Sequence, residues 1–147
     1  MGQLAKLHFT RFLLDASNHG KAILCVDDEG TGLSIRKMIL ESQGYRVFTA
    51  ENGPDALALF ASEAIDLVIL DYSMPGMHGG VVAEKMKKLR PAVPILMLSA
   101  YVDLPGETLA LVDLSITKGE PIQVLFGAVA DLLSDDQSGQ ARATSVA

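Results

Sequence analysis

The sequence predicts an α/β fold: a doubly wound parallel sheet of five strands in the order 2-1-3-4-5, with helices on both faces. Three observations predict it. Short apolar runs alternate along the chain with stretches of helical period, which is the pattern of successive βαβ units. Two of those runs, Leu67 to Leu70 and Ile95 to Leu98, are wholly apolar, as strands covered on both faces must be. The connections are short, and right-handed crossovers between short-linked parallel strands leave few topologies open.

The elements follow in order. The first strand is Ala22 to Val26, and the helix after it carries Leu33, Ile35, Met38, Ile39 and Ser42 until Gly44 stops it. The second strand is Arg46 to Ala50. Its helix opens on Gly53-Pro54-Asp55, with proline in the first turn, and presents Ala56, Leu57, Leu59 and Phe60. The third strand, Leu67 to Leu70, leads to a helix from Val81 to Leu89 that Arg90-Pro91 ends. After Ile95 to Leu98 a fourth helix is expected from about Pro105 to Val112. A weaker fifth strand lies around Leu114 to Thr117, and a last helix runs from Pro121 to Leu133. The domain is thus expected over residues 21–133, with residues 1–20 an N-terminal extension and residues 134–147 a polar, disordered tail.

Composition narrows the function. Hydrophobic residues make up 49% of the chain and charged residues 20%, which is ordinary for a compact domain. A net charge of -6 argues against a nucleic-acid-binding surface, because phosphate contact depends on Lys and Arg. The single cysteine, Cys25, lies in the first apolar run and reads as a small buried residue; it allows no internal disulfide. No run approaches the roughly 18 apolar residues that span a bilayer, and a cytoplasmic location is the expectation.

In such a sheet, ligands gather beyond the carboxyl ends of the strands, near the point where strand order reverses. Strand 1 runs into Asp27-Asp28-Glu29, strand 3 ends in Asp71, strand 4 in Ser99-Ala100, and strand 5 in Thr117-Lys118. Carboxylates crowded on one rim repel, and a hard divalent cation relieves the repulsion. Mg²⁺ suits the donor set, since one or two carboxylates, water and a phosphate complete its octahedron. The same set suits phosphoryl transfer to a carboxylate. Asp71 is then the nucleophile, Asp27 and Asp28 hold the metal, Lys118 pairs with the acyl phosphate, and Ser99 donates a hydrogen bond. Taken singly, each residue has a plainer reading as a helix cap or a loop residue. Their joint placement at four strand ends carries the case.

Two segments carry a family resemblance: Ile23-Leu24-Cys25-Val26-Asp27-Asp28-Glu29, and Leu67-Val68-Ile69-Leu70-Asp71-Tyr72-Ser73-Met74-Pro75-Gly76-Met77-His78-Gly79. The chain resembles the receiver domain of two-component response regulators, which has the flavodoxin-like (βα)₅ architecture. The resemblance implies phosphorylation of Asp71 by a sensor histidine kinase or phosphotransfer protein. It also implies Mg²⁺ held by Asp28, Asp71 and the backbone carbonyl of Ser73, with Asp27 acting through water. Such a domain is a switch rather than an enzyme, and signals to an output protein or through a homodimer.

The second half departs from the family pattern. Lys118 is followed by Gly119 where the family has proline, and Ser115 stands where it has a switch aromatic. Helix 4 is expected to be reduced, and Tyr101 is the candidate substitute aromatic and a hindrance to attacking water. His8, His19 and His78 show no metal-ligand spacing. Two other readings compete: a binding-only pseudo-receiver, and an aspartyl-phosphate phosphatase of the haloacid dehalogenase type. The latter needs a second Asp two positions after the first, where this chain has Ser73.

Overall fold

A computed structural model describes residues 20–100 and 103–134. The N-terminal extension, the tail after Ser134, His8, His19 and Tyr101 therefore lie outside the described residues.

The described elements alternate strictly: β1 (Ala22–Val26), α1 (Gly30–Ser42), β2 (Arg46–Ala50), α2 (Gly53–Ser62), β3 (Leu67–Asp71), α3 (Gly79–Leu89), β4 (Ile95–Ser99), α4 (Gly106–Leu111), β5 (Leu114–Thr117) and α5 (Ile122–Leu133). All strand pairs are parallel and the order is β2-β1-β3-β4-β5, as the apolar runs predict. Strands 3 and 4 each extend one residue further than their apolar runs, so Asp71 and Ser99 close the ladder instead of following it. The helices α1 and α3 begin earlier than hydrophobic period alone implies, at Gly30 and Gly79. Pro105 and Pro121 stand as N-caps just outside α4 and α5.

Successive strand residues point to opposite faces, and the core divides accordingly. Leu24, Val26, Val68, Leu70 and Met97 pack on one face with Ala56 and Phe60 of α2 and Val82, Ala83 and Met86 of α3. Ile23, Cys25, Leu67, Ile69, Leu96 and Leu98 pack on the other with Leu33 and Leu40 of α1 and Leu125 and Val129 of α5. Each fully buried Leu or Ile contributes about 1.5–3 kcal/mol relative to exposure, so these two layers supply most of the packing that holds the helices to the sheet. Burial pushes the Cys25 thiol up to about 12, which makes it a packing residue and not a nucleophile.

Local signals set the helix ends. Asn52 caps α2, its Oδ1 accepting the Asp55 N–H at 2.8 Å, with Pro54 in the first turn. Gly44, with φ +97°, terminates the α1 segment in the left-handed region that glycine enters freely. The fourth helix is reduced to six residues, as expected from the short stretch between Ser99 and Lys118.

Candidate phosphoacceptor site

The register of the sheet assembles the site. Val26 pairs with Leu70 across β1 and β3, so Asp27 and Asp71 leave neighbouring strands at the same height. Asp71 pairs with Leu98, and Ser99 with Thr117, so the β5–α5 turn starts level with the end of β3, across β4 from it. The Lys118 N–H donates to the Ser99 carbonyl at 2.8 Å and fixes that turn against the end of β4. Residues separated by 91 positions in sequence thereby meet: Lys118 Nζ lies 3.1 Å from Asp27 Oδ2. The same ammonium lies 3.2 Å from Asp71 Oδ1.

Carboxylate oxygens of Asp27, Asp28 and Asp71 all fall within 4.8 Å of one another, with Asp28 on the solvent side and the other two buried. The donors are hard oxygens from two adjacent strand ends. That chemistry fits a small divalent cation such as Mg²⁺ and offers nothing to a thiolate- or imidazole-preferring metal. Ser73 is exposed in the loop after Asp71, and Ser99 is buried at the end of β4. Asp27, Asp28, Asp71, Ser73, Ser99 and Lys118 therefore stand on one rim.

Electrostatics divide the two buried acids. For Asp71, burial is the largest influence and the neighbouring Asp27 charge adds to it. Lys118 and the Ser73 N–H offset them only in part, so the carboxyl is pushed up to about 6. Burial pushes Asp27 the same way, but the Glu29 N–H, Lys118 and Arg36 together outweigh it and hold Asp27 below the usual carboxylate value. Burial likewise opposes charge on Lys118, and the two carboxylates overcome it and raise its pKa. The acid that needs a further cation is Asp71.

The Met-Pro-Gly loop is shaped by sterics at Gly79. A Cβ there would stand 2.5 Å from the Asp71 carbonyl oxygen and 2.8 Å from Tyr72 Cα, so only glycine lets α3 begin this close to β3. Its N–H donates to the Tyr72 carbonyl at 2.8 Å. Met74 is buried under the loop, and Gly76 turns it at φ +80°. Two features escape the sequence reading. His78 caps α3 through Nδ1, which accepts the Gly80 N–H at 3.1 Å, and its ring lies 5.3 Å from that of Tyr72. Arg36 of α1 reaches Asp27 Oδ2 at 3.5 Å. The cap was readable in principle, since an acceptor precedes Gly79-Gly80; the ion pair had no local signal.

A doubly wound sheet with an acid triad and a lysine at its switch point defines a receiver-type α/β switch domain. Residues 23–117 match the response regulator receiver domain model, and the chain belongs to that family. It is 34% identical over 114 residues to the transcriptional regulatory protein GlrR of Escherichia coli K12, a match covering 76% of this chain and 26% of that protein. The chain thus spans about a quarter of that relative's length. The response regulator TrrA of Thermotoga maritima, solved in complex with Mg²⁺–BeF, superposes with a TM-score of 0.71 at 38% identity, over 77% of this chain and 99% of that one. TrrA has also been solved in complex with the histidine kinase ThkA, where the TM-score is 0.72 over 78% of this chain and 99% of that one. A CheY-like receiver domain from Methanospirillum hungatei matches with a TM-score of 0.75 at 30% identity, over 82% of this chain and 98% of that one.

Proposed function

We propose that this domain accepts a phosphoryl group on Asp71 from a phosphohistidine of a sensor histidine kinase or phosphotransfer protein, and relays the change to an output partner. The observation that carries the proposal is the shared ammonium: Lys118 bridges Asp27 and Asp71 at 3.1 and 3.2 Å, beside a carboxylate triad. A carboxylate oxygen of Asp71 attacks phosphorus, the P–N bond of the donor breaks, and its electron pair returns to the imidazole. Asp71 is a weak nucleophile whose buried position excludes competing water. Lys118 stands within reach of the charge that develops on the transferred oxygens, and the Ser99 hydroxyl supplies a neutral donor.

Mg²⁺ would be held by Asp28, Asp71 and the Ser73 carbonyl, with Asp27 supporting, and when bound it neutralises phosphoryl charge. The new acyl phosphate adds about 1.5 to 2 negative charges at the rim. Contacts made to it by Lys118 and Ser99 bias the segment that joins β4 to α4 and β5, the switching surface. The domain acts at residues 21–133, in the cytoplasm, and as a switch without turnover of its own. Ser73 in place of a second Asp speaks against a phosphatase of the dehalogenase type. The complete acid and lysine set speaks against a pseudo-receiver.

Incubation with Mg²⁺ and acetyl phosphate, followed by intact mass measurement, tests this reading. One phosphoryl adduct per chain is expected, absent in Asp71→Asn and absent when EDTA removes the metal. An adduct that persists in Asp71→Asn would refute it.

A further inference from the structure

We infer that Arg36 is a second cation of the site, a positioning residue that keeps Asp27 in charge balance when Lys118 turns toward the phosphoryl group. The inference rests on the phosphoacceptor reading and adds a residue to it. Asp27 has a side chain only 2% exposed, and it takes three donors. The Glu29 N–H binds Oδ1 at 2.9 Å, while Lys118 Nζ at 3.1 Å and Arg36 Nη1 at 3.5 Å share Oδ2.

Lys118 is divided between two carboxylates, and its 29% exposed side chain has room to shift. When Asp71 gains a phosphoryl group, the ammonium is drawn to the greater charge. Were Lys118 the sole side-chain cation on Asp27, that movement would leave a buried carboxylate with only the Glu29 N–H from the protein, and the penalty would hold the lysine back. Arg36 removes this penalty. Its side chain is 14% exposed, so solvent screens the pair weakly. It projects from α1 between Leu33 and Leu40, both buried in the core, so its backbone is fixed relative to β1. Lys118 supplies the movable charge and Arg36 the stationary one.

This division of labour predicts opposite signs for two measurements. Removing a positive charge from an acid cluster makes it more attractive to a cation and less tolerant of a phosphoryl anion. A residue that merely supported the fold would weaken both. The test uses Arg36→Met, which keeps the apolar stem, Arg36→Gln, which keeps a donor, and Arg36→Lys, which keeps the charge.

Calorimetric titration with Mg²⁺ alone should show binding about threefold tighter in the Met and Gln variants, while the limiting rate with saturating acetyl phosphate falls about tenfold. Arg36→Lys should restore both to within about threefold. Met and Gln variants equal to wild type in both measurements would overturn the inference, as would parallel weakening of both or failure of both variants to fold. If wild type itself takes no phosphoryl group, the phosphoacceptor reading falls and this inference falls with it. If wild type is labelled and the variants match it, only the role of Arg36 falls.

Discussion

The centre of the sheet and its β5 edge differ in how they are built. Strands β1 and β3, which deliver Asp27, Asp28 and Asp71, are buried at every position, with a core layer on each face. Strand β5 buries only Ile116, leaves Leu114 40% exposed and Ser115 exposed, and is preceded by a helix of six residues. Phosphoryl chemistry needs carboxylates held to fractions of an ångström, and a buried central strand supplies that rigidity. A segment that changes state must have few contacts to break, and α4–β5 is lightly packed. On the proposed function, the acceptor and the switching surface occupy opposite ends of the packing range within one sheet, joined at Lys118.

Substitutions should separate these ends, beginning with the largest effect. Asp71→Asn should abolish phosphoryl incorporation, whereas Leu114→Ala and Ser115→Phe should leave the initial rate within about twofold, because neither side chain touches the acids. Comparable loss in either β5 variant, read by intact mass, would merge the two regions. Stability should follow the same divide. Leu70→Ala removes a fully buried side chain and should cost about 2–5 kcal/mol in urea unfolding, against less than about 1 kcal/mol for Leu114→Ala.

The acid rim should also show itself as a pH-dependent liability. The Asp71 carboxyl is raised to about 6, above its value in an unfolded chain, so between about 4 and 6 the folded state binds more protons than the unfolded one. Its contribution to stability is therefore fully present below about 4 and is lost as pH rises through about 6. Metal-free Asp71→Asn should accordingly be more stable than wild type at pH 8, by about 2 kcal/mol, with the difference shrinking at pH 4 and on adding Mg²⁺. A variant less stable than wild type at pH 8 would contradict this. At subsaturating Mg²⁺, the labelling rate should rise with pH through about 6, as the proton leaves the acceptor. The smallest effect belongs to the α3 cap: His78→Ala should cost about 0.5–1 kcal/mol and leave labelling intact.

Strand order, the alternation of elements and the gathering of Asp27, Asp28, Asp71, Ser99 and Lys118 were all legible from apolar runs that end in charged residues. They were legible because a parallel sheet converts strand ends into one rim without further information. The helix starts at Gly30 and Gly79 were not, since hydrophobic period does not mark them and the second depends on a backbone approach that only glycine allows. Arg36 was also out of reach. The apolar period read through Ile35, Met38 and Ile39 turns Arg36 away from the core, whereas the helix buries Leu33 and Leu40 with Arg36 between them, and Ile35 and Met38 are exposed.

A crystal structure of the chain with Mg²⁺ and beryllofluoride bound would show whether Asp71 accepts the phosphoryl group at a metal-bearing rim. The beryllium should be bonded to a carboxylate oxygen of Asp71, the metal ligated by Asp28 and Asp71, and Lys118 Nζ turned to a fluorine while Arg36 keeps Asp27. An adduct on another residue, or a metal bound away from these carboxylates, would contradict it.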